Sequence, residues 1–199
     1  MAYQPKAEEI KHLREMTDAP MMDCRRVLVE ANGDTDRARQ LLLERGAAQA
    51  QKKAERVANE GVVASYIHAG GKIGVLVEVN SETDFVARSQ KFAELARDVA
   101  MHIAAMSPKY VDRSNVPPDV VNRLREELRA GVPANKPPEI VEKIVEGKLN
   151  KWYEESVLLE QPFVKDDEIT VGDRINAAIG ALGENIRIRR FAKFALGEE

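Results

Sequence analysis

The pattern of apolar positions changes its period in the middle of the chain. Apolar residues alternate with other residues from Ile73 to Val79, which predicts a β-strand. From Phe92 onward they recur at positions 92, 95, 96, 99, 103 and 106, the spacing of one helix face. The residues from Val79 to Arg88 therefore form a strand-to-helix junction, where side chains can project from a rigid base.

Three amphipathic segments upstream of the junction predict a small helical module over residues 1–46. We expect the second helix to start beside Pro20, because a missing N–H does no harm in a first turn. Asp34 is a typical N-cap for the third helix, which we expect to end at Gly46. Residues 47–60 have a helix-forming composition with almost no apolar face, which favours a partly helical linker.

Residues 61–199 predict a second domain that contains both strands and helices. Two alternating runs around a Gly-Gly turn predict a β-hairpin, and a last strand over 185–196 is expected to pair with it, with a bulge near Arg189. Helices are expected over 89–106, from Pro117 to Leu128, from Ile140 to Gly147, and from the capping box at Thr170 to Gly183. The run 157–164 contains Pro162 and is interpreted as an irregular or edge segment. The predicted fold class is α+β: a three-helix bundle, a linker, and a three-stranded antiparallel sheet packed with helices.

Two interpretations of the junction stay open on spacing alone. Ser81 to Asp84 fits the Ser/Thr-x-x-Asp/Glu capping box, and Phe85 could then fold back onto the core. Alternatively, Asp84 and Phe85 point outward and offer a charge and an aromatic ring to the pocket of a partner.

A pair of methionines stands at the start of the second predicted helix. Met21 and Met22 carry flexible apolar side chains, which usually fill a core. From the pattern alone, core filling is the favoured interpretation of this pair.

Composition narrows the class of protein. The 33 acidic residues slightly outnumber the 30 basic ones and the two signs are interleaved, so direct nucleic-acid binding is not expected. Cys24 is the one cysteine, so an intrachain disulfide cannot form, as is usual in a reducing cytosol. No run approaches the roughly 18 apolar residues of a membrane span, and the first residues lack the apolar region of a signal peptide. We therefore expect a soluble, cytoplasmic protein that does not bind membranes.

The sequence lacks the residue patterns of catalysis and metal binding. His12, His68 and His102 have no cysteine or carboxylate partners at metal-ligand spacing. The paired acids Asp166-Asp167 lie in a polar stretch and are interpreted as solvated surface. A nucleophile elbow and a dinucleotide fingerprint are also absent from the sequence. We therefore expect no enzyme activity, no metal and no cofactor, and a protein that works through a partner.

Several segments of the chain resemble, in the same order, the signature segments of the elongation factor Ts family of bacterial translation factors. They are Met21–Cys24 with Glu30–Asp34, Val77–Asn80, Thr83–Ala87, Met101–Ala105, Gln161–Val164 and Ile188–Phe191. Because these segments span nearly the whole chain, the resemblance is highly specific.

The resemblance implies a guanine-nucleotide exchange factor for the translational GTPase EF-Tu. In that family the segment matched by Thr83, Asp84, Phe85 and Val86 displaces helices near the magnesium site of EF-Tu. The resemblance makes Phe85 the intruding wedge and Asp84 its polar anchor. It also implies that the N-terminal module is a ubiquitin-associated-type bundle, which docks on the nucleotide-binding domain of EF-Tu and would do so here through Met21 and Met22.

Longer members of the family carry two related core lobes, whereas we place one lobe in this chain. A symmetric homodimer could supply the second lobe, through the Arg187/Arg189/Phe191 face of the last strand or through the sheet face. Two other functions stay open at this point. One is a non-catalytic adaptor that binds a protein through its helical module, and the other is a hydrolase that uses the carboxylates near 166–168.

Overall fold

The computed structural model describes residues 3–133 and 135–198. Within these ranges the helices are α1 (Ala7–Thr17), α2 (Met21–Glu30), α3 (Thr35–Lys53), α4 (Asp84–Ala87), α5 (Gln90–Met106), α6 (Pro118–Ala130), α7 (Pro138–Ser156) and α8 (Val171–Leu182). The strands are β1 (Glu60–Ile67), β2 (Ile73–Ser81), β3 (Pro162–Phe163), β4 (Asp166–Thr170) and β5 (Arg187–Ala195). The α+β class predicted from the sequence is confirmed.

Helices α1, α2 and α3 form a small bundle at the N-terminal end. Its fully buried side chains are Leu13, Cys24, Val27, Leu28, Ala38 and Leu41. The carboxylate of Asp34 accepts the N–H of Arg37 at 3.0 Å and caps α3, as the sequence predicts. A core of this size gives limited stability by itself, so the contacts of the bundle with the rest of the chain contribute to holding it.

Helix α3 does not end at Gly46, and that prediction is wrong. The helix continues to Lys53, and Ala50 is buried in the core of the C-terminal part. Gly46 lies where α3 crosses α8, and a Cβ at this position would come within 3.1 Å of the carbonyl oxygen of Asn176. The glycine therefore permits a close helix crossing rather than ending a helix. The division of the chain into domains at residues 46 and 60 stays a prediction.

The main sheet is antiparallel with the strand order β1-β2-β5. Tyr66 pairs with Val75 and Val77 pairs with Phe191, so the last strand closes on the hairpin as predicted. The register shifts between Glu78 and Val79, opposite the predicted bulge. The inner face of β2 packs with α5 and α8 into one apolar core.

Helices α6 and α7 pair as a helical hairpin on the outside of the core. Helix α7 runs through Gly147 to Ser156, so the predicted end at Gly147 is wrong. It continues because Leu149 and Tyr153 pack into a separate buried cluster with Val116. Three further ion pairs support this region: Arg125 with Glu146, Arg129 with Glu142, and Arg113 with Glu160.

The segment between α7 and α8 contains a single helical turn and the small antiparallel β3–β4 sheet. Its irregular character agrees with the interpretation of Pro162. At its end Thr170 and Asp173 form the predicted capping box, each accepting the backbone N–H of the other. Helix α8 ends before Gly183, whose φ of 79° suits a glycine C-cap.

Candidate partner-binding site

The strand-to-helix junction forms a separate one-turn helix, α4. Ser81 ends β2 and is fully buried, with its hydroxyl donating to the carbonyl of Thr83 at 3.0 Å. Thr83, and not Ser81, is the N-cap, since its Oγ1 accepts the N–H of Val86 at 3.4 Å. A second cap at Ser89 then starts α5. The capping box predicted over Ser81–Asp84 is therefore absent, and the junction contains two caps in succession.

Helix α4 separates its side chains into an inner and an outer pair. Val86 and Ala87 are each 6% exposed and pack into the main core. Phe85 is 83% exposed, so the interpretation in which it folds back onto the core is excluded. A large apolar ring in water on a well-packed base is the arrangement of an anchor for a partner's pocket.

Asp84, the residue before Phe85, also has an exposed side chain. Its carboxylate pairs with Arg88 at 3.0 Å, and both side chains are largely exposed. An exposed ion pair of this kind contributes little to stability. Asp84 is therefore free to exchange Arg88 for a polar group of a partner.

A distant carboxylate holds the N-cap. Glu184, on the loop between α8 and β5, accepts the N–H of Thr83 at 3.0 Å and its hydroxyl at 2.6 Å. Sequence reasoning missed this contact, because nothing in the spacing connects two residues 101 positions apart. The only available signal is the polar Glu-Asn pair that follows the C-cap glycine.

Met21 and Met22 lie in water at the first turn of α2. They are 55% and 62% exposed, so core filling is excluded for both side chains. The turn before them contacts the core: Asp18 pairs with Arg174 at 2.9 Å, and its carbonyl accepts from Lys91 at 3.4 Å. The start of α2 is thus held against α5, the helix that follows α4.

The third histidine belongs to the core. His102 is fully buried, its Nδ1 accepts the N–H of Val164 at 3.2 Å, and its Nε2 therefore donates to Oε1 of Gln161 at 2.9 Å. Burial lowers the pKa of His102, and the hydrogen bond with Gln161 opposes that shift in part. The ring is thus a neutral structural group.

The acidic stretch after β3 joins the N-terminal bundle to the core. Arg39 of α3 pairs with Asp166 at 2.5 Å and also with Glu168. These carboxylates are engaged in holding two elements together, which gives no support to the hydrolase alternative. Across residues 3–133 and 135–198, no group of three or more metal-ligating side chains comes together.

The described part of the chain has no helix that is both long and apolar enough to cross a membrane.

The amino-acid sequence is similar to those of known translation factors. Residues 46–198 match the family model described as "Elongation factor TS". The chain is 55% identical over 193 residues to the elongation factor Ts of Koribacter versatilis, covering 96% of this chain and 88% of that protein. It is 54% identical to the elongation factor Ts of Carboxydothermus hydrogenoformans, covering 96% of this chain and 89% of that protein. It is 52% identical to the elongation factor Ts of Caldanaerobacter subterraneus subsp. tengcongensis, covering 96% of both chains.

Proposed function

The chain belongs to the elongation factor Ts family and is a translation elongation factor; from this premise we propose that it is the guanine-nucleotide exchange factor of EF-Tu. In this function it binds EF-Tu·GDP in the cytoplasm and promotes the release of GDP. It makes and breaks no covalent bond itself. Its whole effect comes from binding one state of its partner better than another.

The physical task is to weaken a phosphate and magnesium site. A GTPase holds GDP through its phosphate loop and a magnesium ion that bridges phosphate oxygens. An exchange factor that binds the nucleotide-free GTPase more tightly lowers the affinity of the GTPase for GDP. Bound GDP lowers the affinity of the GTPase for the exchange factor by the same ratio. The coupling is reciprocal, so a newly bound nucleotide releases the factor.

The observation that carries the proposal is the exposed ring of Phe85 on its rigid base. Val86 and Ala87 fix α4 in the core, while Phe85 is 83% exposed. A ring held in this way loses little conformational freedom when it enters a pocket, so most of its burial energy is available to displace helices of the partner. Asp84, the preceding residue, is the polar anchor, and Thr83 and Val86 fix the turn.

The exposed methionine pair supplies a second contact in the proposal. Flexible, polarisable Met21 and Met22 adapt to a partner's apolar surface, which suits docking on the nucleotide-binding domain. The ion pair between Asp18 and Arg174 holds this surface in place relative to the core. Two contacts on one framework raise the effective concentration of each for the other.

The test is the release of a fluorescent GDP analogue from purified EF-Tu, followed by stopped flow. We expect substoichiometric amounts of the chain to accelerate release of the whole nucleotide pool, because each molecule acts repeatedly. An adaptor would bind EF-Tu or another protein without changing the release rate. Release that is unchanged, or accelerated only in proportion to complex formed, would contradict the proposal.

We also propose that two copies of the chain associate through the outer face of the main sheet. Val63, Ile67, Leu76 and Phe194 lie on this face and are 67%, 65%, 48% and 70% exposed. The water-facing side of an antiparallel sheet normally carries polar side chains, so an apolar outer face favours a second sheet packed on it.

The acidic side chain of Glu78 on this face is already paired within one copy. Glu78 pairs with Arg190 at 2.8 Å and with Arg189 at 3.5 Å. The hydrogen bond from Arg190 lowers the pKa of Glu78, so this carboxylate stays ionised and paired. Phe191, in the alternative face suggested by the sequence, is partly buried against the core, which favours the outer face of the sheet for the contact.

Sedimentation at micromolar concentration tests the dimer. We expect the unmodified chain to sediment as a dimer and Phe194→Glu to sediment as a monomer, because the substitution places a charge in the apolar contact. A monomer from the unmodified chain, or a dimer that survives Phe194→Glu, would contradict this arrangement.

A further inference from the structure

We propose that Glu184 is a positioning residue for Phe85, because it completes the N-cap of α4 from a segment 101 positions away along the chain. This inference deepens the proposed exchange function and rests on it. It assigns to the loop between α8 and β5 a role in setting where the aromatic ring points.

Helix α4 lacks the second half of a capping box. In a capping box the N-cap side chain accepts the backbone N–H of the third helical residue, whose own carboxylate accepts the N–H of the N-cap residue. In α4 the N-cap is Thr83 and the third residue is Val86, which has no polar side chain. The Thr83 N–H would therefore lack an acceptor from α4 itself.

Glu184 takes the place of that carboxylate. One of its oxygens accepts the Thr83 N–H at 3.0 Å, and the other accepts the Thr83 hydroxyl at 2.6 Å. Oγ1 of Thr83 donates its proton to Glu184, so a lone pair of Oγ1 is available to accept the N–H of Val86. The carboxylate satisfies one backbone donor and orients the group that caps the next.

The contact is reciprocal along the two chain segments. While Glu184 reaches Thr83, the carboxylate of Glu82 accepts the N–H of Asn185 at 2.6 Å. Asn185 is buried and its side-chain amide donates to the carbonyl of Arg56 at 2.7 Å. The two segments are therefore joined through two consecutive residues of each, and we call these four residues (Glu82, Thr83, Glu184 and Asn185) the junction clamp.

A one-turn helix depends on such support. Forming the first turn of a helix is unfavourable because several residues are fixed for a single hydrogen bond. Helix α4 has four residues and is separated from the end of β2 by two residues. Its orientation is set by the two buried side chains at its end and by the junction clamp at its start. Loss of the junction clamp would leave Phe85 exposed but would make the orientation of α4, and with it the position of the ring, less well defined.

The test compares Glu184→Ala and Glu184→Gln with Glu127→Ala, which removes an exposed glutamate of α6 away from the junction. Stimulated release of a fluorescent GDP analogue is measured against the concentration of the full chain. We expect Glu184→Ala to lower the maximal rate by about fivefold, which corresponds to the roughly 1 kcal/mol of stability that an N-cap interaction typically contributes. The half-saturating concentration should change by less than about twofold, since the docking contacts remain.

The glutamine variant and a double variant separate positioning from direct contact with the partner. Glu184→Gln keeps one acceptor oxygen for Thr83, so its rate should lie between those of the unmodified chain and Glu184→Ala. In a Thr83→Val background there is no hydroxyl to orient, and Glu184→Ala should cost less than about twofold more. Equal rates for Glu184→Ala and Glu127→Ala, or full additivity with Thr83→Val, would overturn the inference.

Amide hydrogen exchange gives a result that does not depend on EF-Tu. We expect Glu184→Ala to accelerate exchange at the N–H groups of Thr83 and Val86, and Glu127→Ala to leave both unchanged. Unchanged exchange at Val86 would overturn the clamp. If the unmodified chain fails to accelerate GDP release, the proposed nucleotide-exchange function is wrong. The pattern of amide hydrogen exchange still decides, by itself, whether Glu184 orders α4.

Discussion

Replacement of Phe85 by alanine tests the proposed wedge directly. The ring is 83% exposed in the chain by itself, so its removal should change the free energy of unfolding by no more than about 0.5 kcal/mol. Burial of a phenylalanine side chain is worth about 1.5–3 kcal/mol. Taking the 83% of the residue that is still available for burial, the loss in a complex is about 1.2–2.5 kcal/mol.

This loss converts into a rate if the ring is buried in the state that releases GDP. At about 1.4 kcal/mol per tenfold, Phe85→Ala should slow stimulated release by about 7- to 60-fold. Stopped-flow release of a fluorescent GDP analogue from EF-Tu measures the rate, and thermal unfolding checks the fold.

A matched control distinguishes the wedge from a general loss of apolar surface. Ile140→Ala removes an exposed apolar side chain of α7, outside the surfaces assigned to partners, and should leave release unchanged. If Phe85→Ala folds normally and releases GDP at the unmodified rate, the wedge assignment is refuted. If it melts well below the unmodified chain, the assumption that the ring is free before binding is refuted.

Three further outcomes follow from the structure. Joint replacement of the exposed Met21 and Met22 by alanine should raise the concentration of the chain that gives half-maximal release without abolishing release, because the wedge remains; an unchanged concentration would contradict the docking role. Burial lowers the pKa of His102 below its ordinary 6.5, so the unfolded chain takes up a proton at a higher pH than the folded chain does. The free energy of unfolding should therefore fall as the pH drops below about 6.5. Urea titrations of His102→Gln should show a shallower fall. Gly46→Val should destabilise the chain by about 1–3 kcal/mol, because a Cβ there meets a backbone carbonyl of α8 at 3.1 Å. Gly147→Ala has open space around it and should stabilise α7 by about 0.5–1 kcal/mol. Equal melting temperatures for the two variants would contradict the helix crossing.

Most elements of the core could be predicted from local pattern. The alternation before the junction, the helical period after it and the capping box at Thr170 all correspond to observed elements. Each of these signals depends on a few neighbouring residues, so it can be recognised in the sequence independently of the rest of the fold. The errors at Gly46 and Gly147 have one cause, since a glycine ends a helix only when no tertiary contact continues it.

The candidate site was located by sequence but not described by it. Resemblance to the elongation factor Ts family pointed to Thr83 through Val86, and spacing left the direction of Phe85 undecided. The identity of the cap was also missed: the sequence favoured Ser81, whereas the structure uses Thr83 because Ser81 is buried at the end of β2. Glu184 could not be found at all by a local rule, as it approaches only after α8 returns the chain to β2.

The sequence by itself determined the three strands of the main sheet, the starts of most helices, the α+β class and the family, because periodicity, caps and signature residues lie in contiguous stretches. Only the tertiary structure decided that Phe85 faces water, that α3 continues past Gly46 to pack on α8, and that Glu184 completes the cap of α4. These features depend on contacts between residues far apart in the chain. Their geometry is fixed by how the core packs, and no local preference carries that information.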